Sequence, residues 1–203
     1  MATAKRHRLT VGERRAQLVR LGVDIFRDRP YEEVAIDDIA AAAGVSKGLL
    51  YHYFPSKRDF YVAALRHAAQ EMQALTEPDP GLPPEQRLLA GLDRYLDYVE
   101  QHAAGYASVL RAGAGVGPDV AAVIDGVRDA MAGRVLAELP VDRAAPPPAV
   151  RLAVRGWVGF AEAASLEWAE RGDMDRAAVR DLLAAALGAA LRAAGIASGA
   201  GPR

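Results

Sequence analysis

Within residues 39–59, a lysine, a glycine, a tyrosine and a histidine fall at positions 47, 48, 51 and 52, a spacing that gathers them on one side of a short helix. Their chemistry is recognition rather than catalysis. The Lys47 ammonium and the amides opening such a helix suit a phosphate or a guanine edge, and Gly48 has no side chain to hold the backbone away from bases. Tyr51 and His52 add hydroxyl, imidazole and ring contacts to phosphate or a thymine methyl. Lys57, a few residues on, is placed for the nucleic-acid backbone. The competing account is that glycine and lysine share a solvated helix end and that Tyr51, His52, Tyr53 and Phe54 are core. Consecutive helical residues point about 100° apart, so some of the four must face outward, and Tyr53 and Phe54 are assigned inward.

These side chains need a helix-turn-helix to present them. Ala40, Gly44 and Leu50 stand in the relation of small residue, turn glycine and apolar anchor that lets two helices cross closely. Val45 and Leu50 hold the second of them down, and Ser46 caps it. Ahead of the turn, Asp37 and Asp38 favour the start of a helix over 36–43. An earlier helix over 13–27 carries Leu18, Leu21, Val23, Ile25 and Phe26 at helical spacings and stops before Pro30. Ser56-Lys57-Arg58-Asp59 is a capping-box pattern opening a helix that extends to about residue 75.

Residues 76–84 hold four prolines and a glycine and mark a hinge. Beyond them helices are expected over 85–103, 106–112, 119–139, 149–171 and 175–194, with breaks at 113–118 and 140–148. Period-two alternation is absent throughout, so the expected class is all-α.

Residues 13–65 resemble the DNA-binding region of the tetracycline-repressor (TetR) family through Ile39-Ala40, Ala43-Gly44-Val45-Ser46-Lys47-Gly48, Leu50-Tyr51 and Phe54-Pro55-Ser56-Lys57. The resemblance implies about nine helices per subunit: an N-terminal three-helix DNA-binding domain with the helix-turn-helix, then a C-terminal helical domain for ligand binding and dimerisation. It places Ser46, Lys47, Gly48, Leu49, Tyr51, His52 and Lys57 at or beside DNA. The chain departs from the family where Ala35 replaces a capping, phosphate-touching Ser or Thr, and where Pro30 replaces a common glycine. Leu49, where a small or hydroxylated residue is frequent, either meets a thymine methyl or tightens local packing.

The division expected is a basic arm over 1–12, the helix-turn-helix domain over 13–55, a ligand-binding and dimerising body over 56–195 and a tail over 196–203. Lys5, Arg6, His7 and Arg8 either reach the minor groove or remain a solvated tail. Charge agrees with this division. Residues 1–58 hold 11 Lys or Arg against 7 Asp or Glu, so the rest carries all the negative balance of a chain whose net charge is −1.

In the body, large side chains at helical spacing are candidates for a pocket: Met72, Tyr95, Tyr98, Val99, Tyr106, Leu110, Met131, Trp157 and Phe160, with ordinary core packing as the alternative. Ala161, Ala164, Leu183, Leu187, Ala190 and Leu191 on the last two helices are candidates for a dimer interface, with packing inside one chain as the alternative.

At 203 residues, 51% hydrophobic and 25% charged, the chain suits a soluble globule and not a disordered or fibrous one. Without cysteine it can form neither disulfides nor thiolate metal sites. No secretory signal or membrane-spanning run is evident, so the cytoplasm is the expected compartment. Enzyme signatures are poor. The glycines of 113–117 lack a preceding strand and a Lys-Ser or Lys-Thr ending, and His67 with Glu71, four apart, has no second pair to complete a metal site. No cofactor is expected. The expected function is a ligand-responsive regulator, a repressor binding a palindromic double-stranded operator as a homodimer and released by a small-molecule effector. The rivals are an activator or architectural factor of the same fold, or a helical small-molecule-binding protein or enzyme with no DNA role.

Overall fold

The computed structural model describes residues 10–196 and contains, among them, eight α-helices and no strand. Each helix begins or ends where local chemistry requires it. Helix α1 (Val11–Asp28) opens on a reciprocal cap in which Glu13 N–H donates to Thr10 Oγ1 at 3.2 Å and Thr10 N–H donates to Glu13 Oε2 at 2.8 Å. The Thr10 N–H, and after it the Thr10 hydroxyl donating to Glu13 Oε2 at 2.8 Å, hold the Glu13 carboxyl below its ordinary range. A single 3-10 turn (Tyr31–Glu33) follows Pro30. Helix α2 (Ile36–Ala43) starts on Ala35, whose side chain cannot cap. The Asp38 carboxylate substitutes, accepting from Ala35 N–H at 3.3 Å and from Arg29 Nη2 at 3.1 Å, and both interactions lower its pKa, the backbone bond more. Gly44 ends α2 at φ +62°, where Gly44 N–H and Val45 N–H donate to Ala41 O and Ala40 O at 3.1 Å each. Only glycine enters this left-handed region cheaply.

Helix α3 (Lys47–Tyr53) is capped by Ser46, whose Oγ accepts from Leu49 N–H at 3.2 Å. Helix α4 (Lys57–Leu75) is opened by Ser56, with Asp59 N–H donating to Ser56 Oγ at 3.1 Å and Ser56 Oγ–H donating to Asp59 Oδ2 at 2.7 Å.

The chain divides into two compact units between Ala68 and Ala69, within α4. In the first, Leu18, Val19, Phe26, Val34, Ile39, Leu50, Phe54, Phe60 and Tyr61 form the core. Phe26 meets Tyr61, and Phe54 meets Phe60, edge to face at centroid distances of 4.7 and 5.0 Å. Phe54 is buried and Tyr53 half-buried. At Gly22, α1 and α4 come so close that a Cβ would lie 2.8 Å from Phe60 Cζ and 3.0 Å from Ala64 Cβ. Gly22→Ala is therefore expected to destabilise by about 1–3 kcal/mol despite the better helix propensity of alanine. A urea titration followed by circular dichroism measures it, and a stabilised variant would contradict this packing.

The second unit holds the end of α4 and helices α5 (Pro84–Val116), α6 (Pro118–Ala137), α7 (Pro148–Arg171) and α8 (Arg176–Ala193). The two helices expected over 85–103 and 106–112 run on from one another within α5 and meet at a kink at His102 (φ −126°, ψ 21°), where the backbone leaves helical geometry. With the two sides of this kink taken as one helix the described residues hold eight α-helices, and taken separately they hold the nine expected. The break expected over 113–118 reduces to Gly117 at φ +130°, because Gly113 and Gly115 remain helical and only the Gly117-Pro118 pair ends one helix and starts another. A loop for holding phosphate is thus excluded at 113–117.

Leu92, Tyr95, Leu96 and Val99 of α5, Trp157, Val158, Ala161 and Trp168 of α7, and Val179, Leu183 and Leu187 of α8 make the core of this unit. Polar groups inside it are matched. Trp157 Nε1–H donates to Leu183 O and Trp168 Nε1–H to Met174 O, both at 2.8 Å. Glu162, 6% exposed, receives Arg128 Nη2–H at 2.8 Å and Nε–H at 3.0 Å.

Candidate nucleic-acid interface and cavity

Helix α3 has one buried side chain, Leu50 at 0% exposure, and that single anchor determines which residues face out. Lys47, Gly48, Leu49, Tyr51 and His52 are all exposed, Leu49 at 39% and Tyr51 at 42%. Leu49 is thus available to a partner while most of its surface remains covered by its own chain. A Cβ placed on Gly48 meets nothing within 4 Å, so the backbone there lies open.

Lys47 Nζ pairs with Asp37 at 3.0 Å. The pair spans the turn between α2 and α3, and the bond to Asp37 raises the lysine pKa, so the ammonium is charged and directed at neutral pH. Lys57 is the exception in the set. Its Nζ donates to Tyr31 O at 2.6 Å and lies 4.0 Å from the centre of the Tyr31 ring, which ties the start of α4 to the 3-10 turn and leaves the side chain half-buried. Lys5, Arg6, His7 and Arg8 lie outside the described residues, as does the tail from 197 onward.

The second unit holds a partly open cavity of about 270 Å³, close to the lower end of the roughly 300–1,000 Å³ of small-molecule sites. Leu88, Leu92 and Tyr95 of α5, Met131 and Val135 of α6, Leu139, Trp157 of α7, and Leu187 and Leu191 of α8 give it an apolar wall. Thr76, Arg87, Arg134 and Glu138 supply the polar part. Of the residues expected to line a pocket, Tyr95, Met131 and Trp157 do so. Met72 and Val99 are core, Phe160 is 42% exposed on α7, and Tyr98, Tyr106 and Leu110 are partly buried away from this wall.

The Tyr95 hydroxyl lies 2.8 Å from Ser165 Oγ and 3.1 Å from the Tyr106 hydroxyl. Burial pushes the Tyr95 pKa up to about 12 and that of Tyr106 well above its ordinary range. Both stay protonated and committed to each other, so Tyr95 offers the cavity its ring.

The residues that sequence spacing missed carry a usable signal in part. Positions 88, 92 and 95 and positions 131, 135 and 138 each follow a helical face. Arg134 gives none, because an arginine on an amphipathic helix is ordinarily solvated.

Of the residues expected at a dimer interface, the buried ones instead follow the alternative of packing inside one chain. Ala161, Leu183 and Leu187 are 1%, 0% and 4% exposed inside their own chain, and Leu191 lines the cavity. Ala164 and Ala190 are half-buried. The apolar surface that α7 and α8 leave outward consists instead of Leu152, Phe160 and Leu182 beside Gly156, Gly159, Ala163, Ala185 and Ala189. Among the described residues no cluster of three or more His, Asp or Glu is placed to hold a metal, and no helix is long and apolar enough to cross a membrane.

Residues 18–64 match the domain family described as bacterial regulatory proteins, tetR family, and residues 84–189 match the tetracyclin repressor-like C-terminal domain. A crystal structure of a tetR-family transcriptional regulator from Streptomyces coelicolor superposes with a TM-score of 0.84 at 36% identity, covering 92% of this chain and 83% of that one. The HTH-type transcriptional activator FasR of Mycolicibacterium smegmatis is 34% identical over 123 residues, 58% of this chain and 55% of that protein. The HTH-type transcriptional repressor DhaR of a Mycobacterium species is 38% identical over 77 residues, 36% of this chain and 39% of that protein. The match thus spans about half the length of the first of these curated relatives and less of the second.

Proposed function

The chain belongs to the TetR family of bacterial regulatory proteins, and from that premise we propose that it is a ligand-responsive transcriptional repressor that binds a palindromic operator as a homodimer. The observation that carries this reading is the outward face of α3, where Lys47, Gly48, Tyr51 and His52 stand exposed over an unobstructed backbone. A short helix held by one buried leucine, with a charged group and two hydrogen-bonding rings around a glycine, suits insertion in a major groove. Palindromic half-sites need two such helices. The apolar strip of Leu152, Phe160 and Leu182 on α7 and α8 suits a four-helix contact with a second copy. The cavity in the second unit is the candidate effector site, and an effector acts only through the difference in its affinity for the DNA-competent and DNA-incompetent forms.

Operator fragments selected from the source genome supply the test. Lys47→Ala and Tyr51→Ala are each expected to weaken operator binding about tenfold or more in a fluorescence-anisotropy titration, with melting temperature and dimer mass unchanged. Undiminished affinity in both variants overturns the assignment of α3 as the reading helix. Activation is a second reading, favoured by the match to an activator. Transcript levels beside the bound sites separate the two, since deleting the gene raises them under repression and lowers them under activation.

A further inference from the structure

Charge inside the cavity is unbalanced in a way that bears on what enters it. Its polar part holds two guanidinium groups and one carboxylate. Arg87 and Glu138 satisfy each other at 3.0 Å, and Arg87 is further held by Pro80 O at 2.9 Å and Leu82 O at 2.6 Å. Arg134 is arranged differently. Its Nη1 donates to Thr76 Oγ1 at 2.7 Å and its Nη2 to Gln73 O at 2.6 Å, both neutral oxygens. A half-buried cation in a mostly apolar wall, whose own hydrogen-bond partners are both neutral while the one carboxylate of the wall is paired with Arg87, is electrostatically under-compensated.

We propose that the cavity takes an organic anion, an apolar body carrying one carboxylate, with Arg134 as its counter-ion and Trp157, Met131 and Leu187 around its hydrocarbon part. This deepens the effector role proposed above and rests on it. The same guanidinium closes the C-terminal end of α4, because Gln73 O is among that helix's last carbonyls and Thr76 Oγ–H donates back to Met72 O at 2.8 Å. A carboxylate arriving at Arg134 competes with those acceptors and loosens the end of α4.

The experiment titrates sodium octanoate, 1-octanol and octylammonium chloride into the full-length protein at pH 7.5, following binding calorimetrically and through tryptophan fluorescence. Octanoate is expected to bind about tenfold or more tightly than octanol, with octylammonium weakest. Arg134→Met should remove the preference for the acid while keeping octanol binding within about twofold. Arg134→Lys, which keeps the cation without the fork, should retain part of it, and this second variant serves if the first does not fold. Octanol binding as tightly as octanoate to the unaltered protein overturns the anion assignment and leaves the effector reading intact. Failure of octanoate to bind the unaltered protein overturns the anion assignment as well, while the effector reading falls if no small molecule changes operator affinity.

Discussion

Arg128→Met should lower stability by about 3 kcal/mol, and Glu162→Leu combined with it should recover most of that loss. Glu162 is 6% exposed on α7 and receives a two-pronged guanidinium from Arg128 on α6. Removing the arginine leaves a carboxylate in a site closed to water, a change that costs roughly 3–5 kcal/mol in buried pairs. The lower end applies because the Arg128 side chain keeps 30% of its exposure and also touches Asp125 at 3.4 Å. Asp125 in turn meets Arg155 at 3.3 Å, so it is not stranded by the change. For a chain of this length the single variant should melt about 6–12 °C lower. The double variant, with apolar groups of similar volume in place of the ions, should sit near the parent. Scanning calorimetry of the three proteins decides, and a single variant as stable as the parent would show that Glu162 is solvated in solution.

How far such features could be foreseen differs between the two units. The first announces itself because its local rules and its function coincide. Gly44 is a turn glycine by position and has φ +62° in fact, Ser46 caps α3, and Leu50 is its one buried anchor. The second unit hides its faces. Helix α8 has Leu182, Leu183 and Leu187 among alanines, so apolar residues surround it and periodicity does not say which side is inward. Leu183 is buried and Leu182 is 47% exposed, a distinction that arises only from packing against α5 and α7. Arg128, Glu162 and Arg134 were equally illegible, because a charge on a helix is solvated by default and becomes a pair or a cavity wall only when other helices cover it. Pattern therefore locates α3 and its exposed side chains closely, while the cavity wall and the outward apolar residues of α7 and α8 are decided only by tertiary contacts. The bend at His102, by contrast, falls beside the break expected between the helices over 85–103 and 106–112.

Gly48→Leu should separate folding from DNA reading more sharply than any substitution of a polar contact. The position is helical and exposed, and an added Cβ would meet nothing within 4 Å. Leucine there removes the propensity cost of a glycine inside a helix, so the fold should gain about 0.5–1 kcal/mol. Duplex DNA presses on that same open space if α3 lies in the major groove, and a branched side chain then holds the helix away from the base edges. All contacts that depend on close approach fail together, unlike the loss of Lys47 or Tyr51 singly. Specific binding typically exceeds non-specific binding by about 10³-fold or more. Affinity for operator should accordingly fall by about that factor, to the level seen with an unrelated duplex, while the steep salt dependence from phosphate contacts persists. Gly48→Ala should lie between. Anisotropy titrations with operator and scrambled duplexes at two salt concentrations, beside a melting curve, provide the comparison. A Gly48→Leu protein that still prefers operator over scrambled DNA by the parental factor would mean that α3 does not enter the groove by this face.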